Sequence, residues 1–288
     1  MRQLEFFQPE TLEKALDILA DKTDNIKVLA GGTDLVVQLR DNSLSENISS
    51  ILDISRIKSF KEIKNNDGEI TIGSLVTHEE LLNNKLFSNK LPFINEAASA
   101  VGSPQIRRRG TIGGNICNAA PCADSVPVLA ALDAEVILAS KSGKRKLSLT
   151  EFIDGPYKTN LKPDEIMTSI KFFMPEPGVG TSFMKVGRRK ALAISRMSVA
   201  VILRKDQTEI VNEFYLSTGS VTPKPTRLPE AERVLLNKEP TEDLINETAE
   251  KVAQIMIATS GYRWSTEYKE PVIKTMVIRA IKQALEAI

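Results

Sequence analysis

Histidine, cysteine and tryptophan are nearly missing from this chain, with one His, two Cys and one Trp in 288 residues. The scarcity narrows its chemistry. Cys117 and Cys122 cannot by themselves complete a four-cysteine iron–sulfur cluster or a closed zinc site. Set in a stretch of small residues, they read as two reduced thiols and not as a disulfide. The single histidine, His78, sits in Thr77-His78-Glu79-Glu80, where Thr77 and Glu80 fit a capping box. It therefore reads as a first-turn helix residue, not a ligand, and no metal site is expected. Metal hydrolysis and Ser-His-Asp or Cys-His catalysis lack their parts here. Redox work, if any is done, falls to an organic cofactor.

An excess of one charge is missing too. Lys plus Arg is 38 and Asp plus Glu is 37, a formal net charge of +1, so no global basic field exists to hold a nucleic acid. No apolar run approaches the roughly 20 residues that span a bilayer. The opening MRQLEFFQPE carries Arg2 and Glu5 and no apolar signal core. A cytoplasmic protein is expected, with no membrane span and no nucleic-acid partner. The 42% apolar and 26% charged shares fit an ordinary globular chain, and 288 residues suffice for two or three domains with real cores.

The apolar pattern predicts an α+β architecture. Leu4 to Phe7, Ile26 to Leu29 and Ile51 to Ile54 read as strands. Between them, Leu12, Ala15, Leu16 and Leu19 fall at helical spacing, and Leu35 to Leu39 reads as a short helix. That β-α-β-α-β order implies a small parallel sheet over residues 1–56. Over 57–175 the texture is mixed. Phe60 to Lys64 and Glu69 to Gly73 read as a hairpin around Asn65-Asn66-Asp67-Gly68. Helices are expected at His78 to Asn84, Phe93 to Ala100 and Pro127 to Leu132, and strands at Ala134 to Ser140, Arg145 to Leu149 and Ile166 to Phe173. Pro175-Glu176-Pro177-Gly178 is the clearest break. Over 176–288, Thr181 to Val186, Met197 to Leu203 and Ile210 to Ser217 read as a three-stranded antiparallel sheet that ends at Thr222-Pro223-Lys224-Pro225. Helices follow at Asp243 to Ala258 and Glu270 to Ala287, with Pro271 in the first turn.

Two glycine-rich loops stand out. Ala30-Gly31-Gly32-Thr33-Asp34 follows the strand ending at Val28-Leu29, where open α/β sheets place ligands. Thr111-Ile112-Gly113-Gly114-Asn115 leads into Cys117-Asn118 and on to Asp124. Glycine leaves backbone N–H groups unshielded, so a diphosphate can approach closely. On this reading Gly31, Gly32, Gly113 and Gly114 supply N–H donors, Thr33 and Thr111 add hydroxyls, and Asn115 adds an amide. Asp124 would repel phosphate and suits a sugar or ribityl hydroxyl. Neither the dinucleotide-fold nor the P-loop glycine pattern is present. One such loop alone is as well explained by a tight turn. The pair points to a large anionic ligand held from two sides, read here as FAD. Arg107-Arg108-Arg109 is equally a solvated turn, help for the diphosphate, or a docking surface.

At this point the chain resembles a known family. AGGTDL at 30–35, GSPQIRRRGTIGGNICNAAPCADSVPVL at 102–129, LKPDEI at 161–166 and SFMKVGRRKALAIS at 182–195 are similar, in order and spacing, to the FAD-binding medium subunit of the molybdenum hydroxylases. The likeness covers essentially the whole chain. It implies a two-subdomain FAD-binding fold of the vanillyl-alcohol-oxidase (PCMH) type over 1–56 and 57–175, and a CO dehydrogenase flavoprotein-like domain over 176–288. It also implies that Lys27, Val28, Leu29, Ala30, Gly31, Gly32, Thr33 and Asp34 wrap the diphosphate, with Thr111, Gly113, Gly114, Asn115, Cys117 and Asn118 closing over it. Asp124 would take a ribityl or ribose hydroxyl, and Ile166 or Met167 would line a ring pocket. Lys185 would sit at the flavin's polar edge, and Val101, Ser103 and Ile106 would border the isoalloxazine.

The implied role is electron transfer within a heterotrimer. A molybdopterin-binding large subunit oxidises the substrate and a [2Fe–2S] small subunit passes electrons to FAD, which hands them to NAD or another acceptor. No residue of this chain is expected to act as a general acid or base. The other reading is a stand-alone FAD-dependent oxidase or dehydrogenase on the same scaffold, for which no convincing base is found. Two departures from relatives matter. With only Cys117 and Cys122, the inserted four-cysteine cluster of some relatives is not expected. Val101 stands where some relatives stack a phenylalanine, so another residue must cover that flavin face.

Overall fold

A computed structural model describes residues 3–22, 25–41, 43, 47–189 and 192–288. Lys190 and Ala191 of the 182–195 stretch, and Arg2, lie outside the described residues. The chain makes two compact units that interleave in sequence. The first is Met1–Glu80, Ser103–Ala119 and Ala134–Phe173; the second is Leu81–Gly102, Ala120–Asp133 and Met174–Ile288.

In the first unit the three early apolar runs become a parallel sheet, with Ser50–Asp53 between Glu5–Phe7 and Ile26–Leu29. All four residues of the middle strand are buried, as expected of a parallel strand covered on both faces. The helix Leu12–Asp21 is capped by Thr11, whose hydroxyl accepts from the Lys14 N–H at 3.3 Å. It buries Ala15, Leu16 and Leu19 against Ile26, Leu52, Ile54 and Ile57. The strand Ile26–Leu29 then runs out into residues 30–34, which lead to the helix Leu35–Arg40.

A five-stranded antiparallel sheet completes this unit, in the order Ile63–Asn66, Glu69–Gly73, Ile166–Phe173, Glu135–Ser140, Gly143–Ser148. The hairpin begins later than expected. Lys58–Lys61 is a 3-10 turn, because Phe60 folds inward and is almost wholly buried in the same core as Leu52 and Leu75. Asp67 (φ 50°) and Gly68 (φ 91°) make a two-residue turn whose twist matches the strands.

In the second unit Gly180–Val186, Met197–Lys205 and Val211–Gly219 form the expected antiparallel meander. The sheet continues one step further, through the two-residue strand Thr226–Arg227. The helices Glu242–Ser260 and Thr266–Glu286 lay Val252, Met256, Ile273, Val277 and Ile281 over Val199, Val201, Leu203 and Phe214. The last helix starts earlier than the sequence predicts. The Lys269 N–H already donates to the Ser265 carbonyl, so Pro271 lies inside the helix and removes one backbone bond there. The helices Pro92–Ala100 and Ser125–Ala131 pack against the same sheet. No helix among the described residues is long and apolar enough to cross a membrane.

Candidate cofactor-binding site

The first unit brings the two glycine loops together. A Cβ on Gly31 would lie 1.9 Å from the Arg109 carbonyl oxygen and 3.1 Å from Gly110 Cα. Gly31 therefore rests directly on the backbone that leads into the second loop. The Asn118 amide donates to Asp34 Oδ1 at 3.1 Å, and the Thr33 hydroxyl donates to Asp34 Oδ2 at 3.2 Å. The Asp34 carboxylate is thus turned into its own loops. Thr77 bridges Thr111, and the His78 N–H donates to the Gly110 carbonyl at 3.1 Å. The expected capping box also forms: the Glu80 N–H donates to the Thr77 hydroxyl and the Thr77 N–H to the Glu80 carboxylate.

The four glycines are engaged differently in the fold. The Gly113 N–H donates to the Ser74 carbonyl at 2.9 Å, Gly114 N–H to the Thr111 hydroxyl at 3.1 Å, and Asn115 N–H to the Thr111 carbonyl at 2.9 Å. Thr111 caps the helix Ile112–Asn118 and engages the very donors that the sequence offered to a ligand. Gly113 is glycine because a Cβ would lie 2.7 Å from the Ser74 carbonyl oxygen. The first loop is the opposite case. Among the described residues, the N–H groups of Gly31, Gly32, Thr33 and Asp34 meet no protein acceptor. Gly32 holds φ +77°, which a side chain would strain. A Cβ on Gly114 would meet only the Thr111 hydroxyl, at 2.9 Å, and otherwise faces open space. A row of free donors beside a bare glycine face is what a diphosphate requires, so the residues present fit FAD.

The remaining expected residues of this unit are placed as follows. Lys27 is exposed, while Val28 and Ala30 pack against the core and Leu29 is half-buried. The Ser103 hydroxyl accepts from the Ile106 N–H at 3.3 Å, capping a short helix, and Ile106 is exposed. Ile166 and Met167 are both buried in their strand, and Ile166 belongs to the core with Leu52 and Leu75, so protein already covers it. Burial pushes the Cys117 thiol up to about 12, which keeps it neutral.

The second unit holds Val101, Asp124 and Lys185. Val101 is half-buried at the end of the helix Pro92–Ala100. Lys185 Nζ contacts Asp124 Oδ2 at 2.6 Å and donates to the Ala100 carbonyl at 3.0 Å. Burial raises the Asp124 carboxyl to about 6 against the pull of Lys185, and Ser195 lies close enough to add to that pull. Asp124 Oδ1 and the Ser195 hydroxyl are nonetheless buried without a partner of good geometry. Ser195 was not singled out in sequence. Its one signal was its place at the end of the stretch 182–195.

His78 was correctly read as a first-turn residue, but its surroundings were not legible. It is 1% exposed, its Nδ1 has no partner, and its ring edge lies beneath Gly110. Burial, then the charge of Arg107, lowers its pKa from 6.5 to about 4. A depressed histidine stabilises the fold above its unfolded pKa and loses that contribution as pH falls through the folded value. The window is therefore about 6.5 down to about 4, and the loss is roughly 3 kcal/mol. Asp124, raised, acts in the opposite sense in the second unit: its contribution is present below about 4 and fades as pH rises through about 6. The stability gap between wild type and His78→Gln should therefore shrink as pH falls from 7 to 4. Urea midpoints at the two pH values measure it, and a constant gap would contradict the assignment.

Comparison with known proteins places the chain in a family. Residues 2–175 match the FAD binding domain in molybdopterin dehydrogenase, and residues 182–284 match the CO dehydrogenase flavoprotein C-terminal domain. The chain is 33% identical over 282 residues to the glyceraldehyde dehydrogenase medium chain of Sulfolobus acidocaldarius, covering 98% of each. It is 33% identical over 284 residues to the xanthine dehydrogenase FAD-binding subunit of Escherichia coli O157:H7, covering 98% of this chain and 96% of the relative. A chain of carbon monoxide dehydrogenase from Hydrogenophaga pseudoflava has the same fold, with a TM-score of 0.92 at 26% identity over 99% of this chain and 98% of that one. Fold, site and matches define an FAD-binding oxidoreductase component. The chain belongs to the family of FAD-binding medium subunits of molybdenum hydroxylases of the carbon monoxide and xanthine dehydrogenase type.

Proposed function

We propose that this chain is the electron exit of a three-subunit molybdenum hydroxylase. A molybdopterin-binding large subunit would oxidise the substrate, and a [2Fe–2S] small subunit would deliver the electrons. FAD, when bound, supplies the step between one-electron and two-electron carriers. The observation that carries the reading is the run of N–H groups from Gly31 to Asp34 that meet no acceptor among the described residues, beside the second glycine loop. Those donors hold the diphosphate, and the bare face of Gly114 leaves it room. Asp124 and Lys185 keep the roles that the resemblance gives them, at a ribityl or ribose hydroxyl and at the flavin's polar edge. The residues of this chain bind and orient; none moves a proton on the substrate.

Two measurements test the reading. Purified chain supplemented with FAD should show flavin absorption bands at about one equivalent, and co-expression with molybdopterin-binding and [2Fe–2S] partner subunits should yield one complex. A chain that never takes up flavin would remove the proposal altogether. Flavin uptake without assembly would favour the stand-alone oxidase.

A further inference from the structure

The second unit carries a cationic, aromatic patch whose charged residues are none of those assigned above to FAD. Arg196 precedes the strand Met197–Lys205, Arg263 and Trp264 join the two long helices, and Tyr268 and Lys269 lie in the first turn of the last helix. The Arg196 guanidinium lies over the Tyr268 ring, 5.3 Å from its centroid. Lys269 donates to the Ser220 carbonyl at 2.9 Å, and the Ser220 hydroxyl donates to the carbonyl of Ser195, the neighbour of Arg196, at 3.2 Å. The Arg263 guanidinium donates to the Ser260 carbonyl. Among the described residues none of these three cations is paired with a carboxylate, and Glu267, the one acid of the stretch 262–269, pairs with none of them. Burial and the charges of Arg263 and Arg196 depress the Lys269 ammonium, as expected of crowded, uncompensated cations. Around them Trp264 is 89% exposed and Ile194 78%.

We propose that this patch docks a small acidic electron-carrier protein that accepts the electrons leaving the flavin. The inference rests on the electron-exit role proposed above. Uncompensated cations raise the local concentration of an anionic partner and steer its approach. Trp, Tyr and Arg are the residue types that dominate contact energy when a partner covers them. The aromatic and apolar side chains stand out into solvent and do not line a cleft, which suits a protein face better than a dinucleotide. Weak redox encounters use small charged interfaces, and this patch is built from two loops and one helical turn. Ser195 also ties the patch to the expected flavin edge, since it adjoins Arg196 in sequence and lies close to Asp124. The step balances with two carriers: the reduced flavin gives up two electrons and two protons, each carrier takes one electron, and the protons go to solvent.

Trp264 is the only tryptophan in the chain and reports on the patch directly. The probe is an oxidised acidic [2Fe–2S] ferredoxin, titrated into the full-length chain. Saturable quenching of Trp264 emission is expected at about 20 mM salt, with the half-point rising at least about tenfold near 200 mM. Arg196→Glu combined with Lys269→Glu should remove the saturable phase while the FAD content per chain stays at the wild-type value. In stopped flow, oxidation of the reduced FAD-loaded chain by ferredoxin should slow at least about tenfold in that variant. Oxidation by a neutral quinone should not change. Quenching indifferent to salt and charge reversal would overturn the proposal. So would a variant-sensitive response to NAD in place of ferredoxin, which would make the patch a nucleotide site. A wild-type chain that takes up no FAD would sink the electron-exit role and this inference together. Normal FAD with unaltered docking in the variant would sink this inference alone.

Discussion

Gly31→Ala is expected to destabilise the chain by roughly 3 kcal/mol or more, and to disrupt the first unit without acting through any ligand. The new Cβ would sit 1.9 Å from the Arg109 carbonyl oxygen and 2.7 Å from its carbon, a backbone group with no rotamer to change. That backbone is held on both sides. The N–H groups of Arg109 and Gly110 both donate to the Ile106 carbonyl, and the Gly110 carbonyl accepts from His78. Relief therefore requires parting the two loops or shifting the strand that ends at Leu29. Gly68→Ala is the control: Gly68 has φ +91° with nothing within 4 Å, so only backbone strain of about 1 kcal/mol is expected. Urea unfolding followed by circular dichroism compares the two without FAD. A Gly31→Ala chain as stable as the Gly68 control would mean that residues 109–110 yield freely, and the packed junction of the loops would have to be given up.

The same pair of residues shows what the sequence could and could not disclose. The parallel strands were legible as short apolar runs, although of Ile26–Leu29 and Ser50–Asp53 only the latter is buried throughout, and Lys27 is exposed. The helix start at His78 was legible because Thr77 and Glu80 spell a capping box, whereas the caps at Thr11 and Thr241 came only with the structure. Phe60 was misread because one apolar side chain serves equally in a strand or in a turn folded onto a core. The last helix was misread because Pro271 looks like a first-turn proline, and the turn that precedes it carries no apolar periodicity. For the glycines, the sequence shows that a Cβ is absent but not what stands opposite. Gly31 faces the Arg109 backbone, Gly113 faces Ser74, and Gly114, past the Thr111 hydroxyl, faces open space. The loop chemistry suggested Asp124 as a ligand residue, and the resemblance added Lys185. That they meet each other at 2.6 Å across 61 positions of chain is a fact of the fold alone.

Gly114→Val is expected to leave the fold in place and to weaken FAD binding at least about 100-fold, or roughly 2.7 kcal/mol. Its Cβ would approach the Thr111 hydroxyl at 2.9 Å and nothing else within 4 Å. Relief asks Thr111 to change its χ1 rotamer, so the structural result is a weakened or lost cap on the helix Ile112–Asn118, costing about 1 kcal/mol. Beyond the cap, on the proposed placement of the diphosphate, the valine methyls would take up the room left by the bare face of Gly114. Gly114→Ala, smaller by two methyls, should fall between wild type and valine in affinity and match wild type in stability. Gly113→Ala should do the reverse, because its Cβ meets the Ser74 carbonyl oxygen at 2.7 Å. It should unfold earlier and lose FAD only in step with the fold. Flavin titrations paired with melting curves separate these patterns. If Gly114→Val retained stoichiometric FAD while Gly113→Ala lost it in a folded chain, the ligand-facing glycine would be Gly113, and the helix cap at Thr111 would have to open to admit the diphosphate.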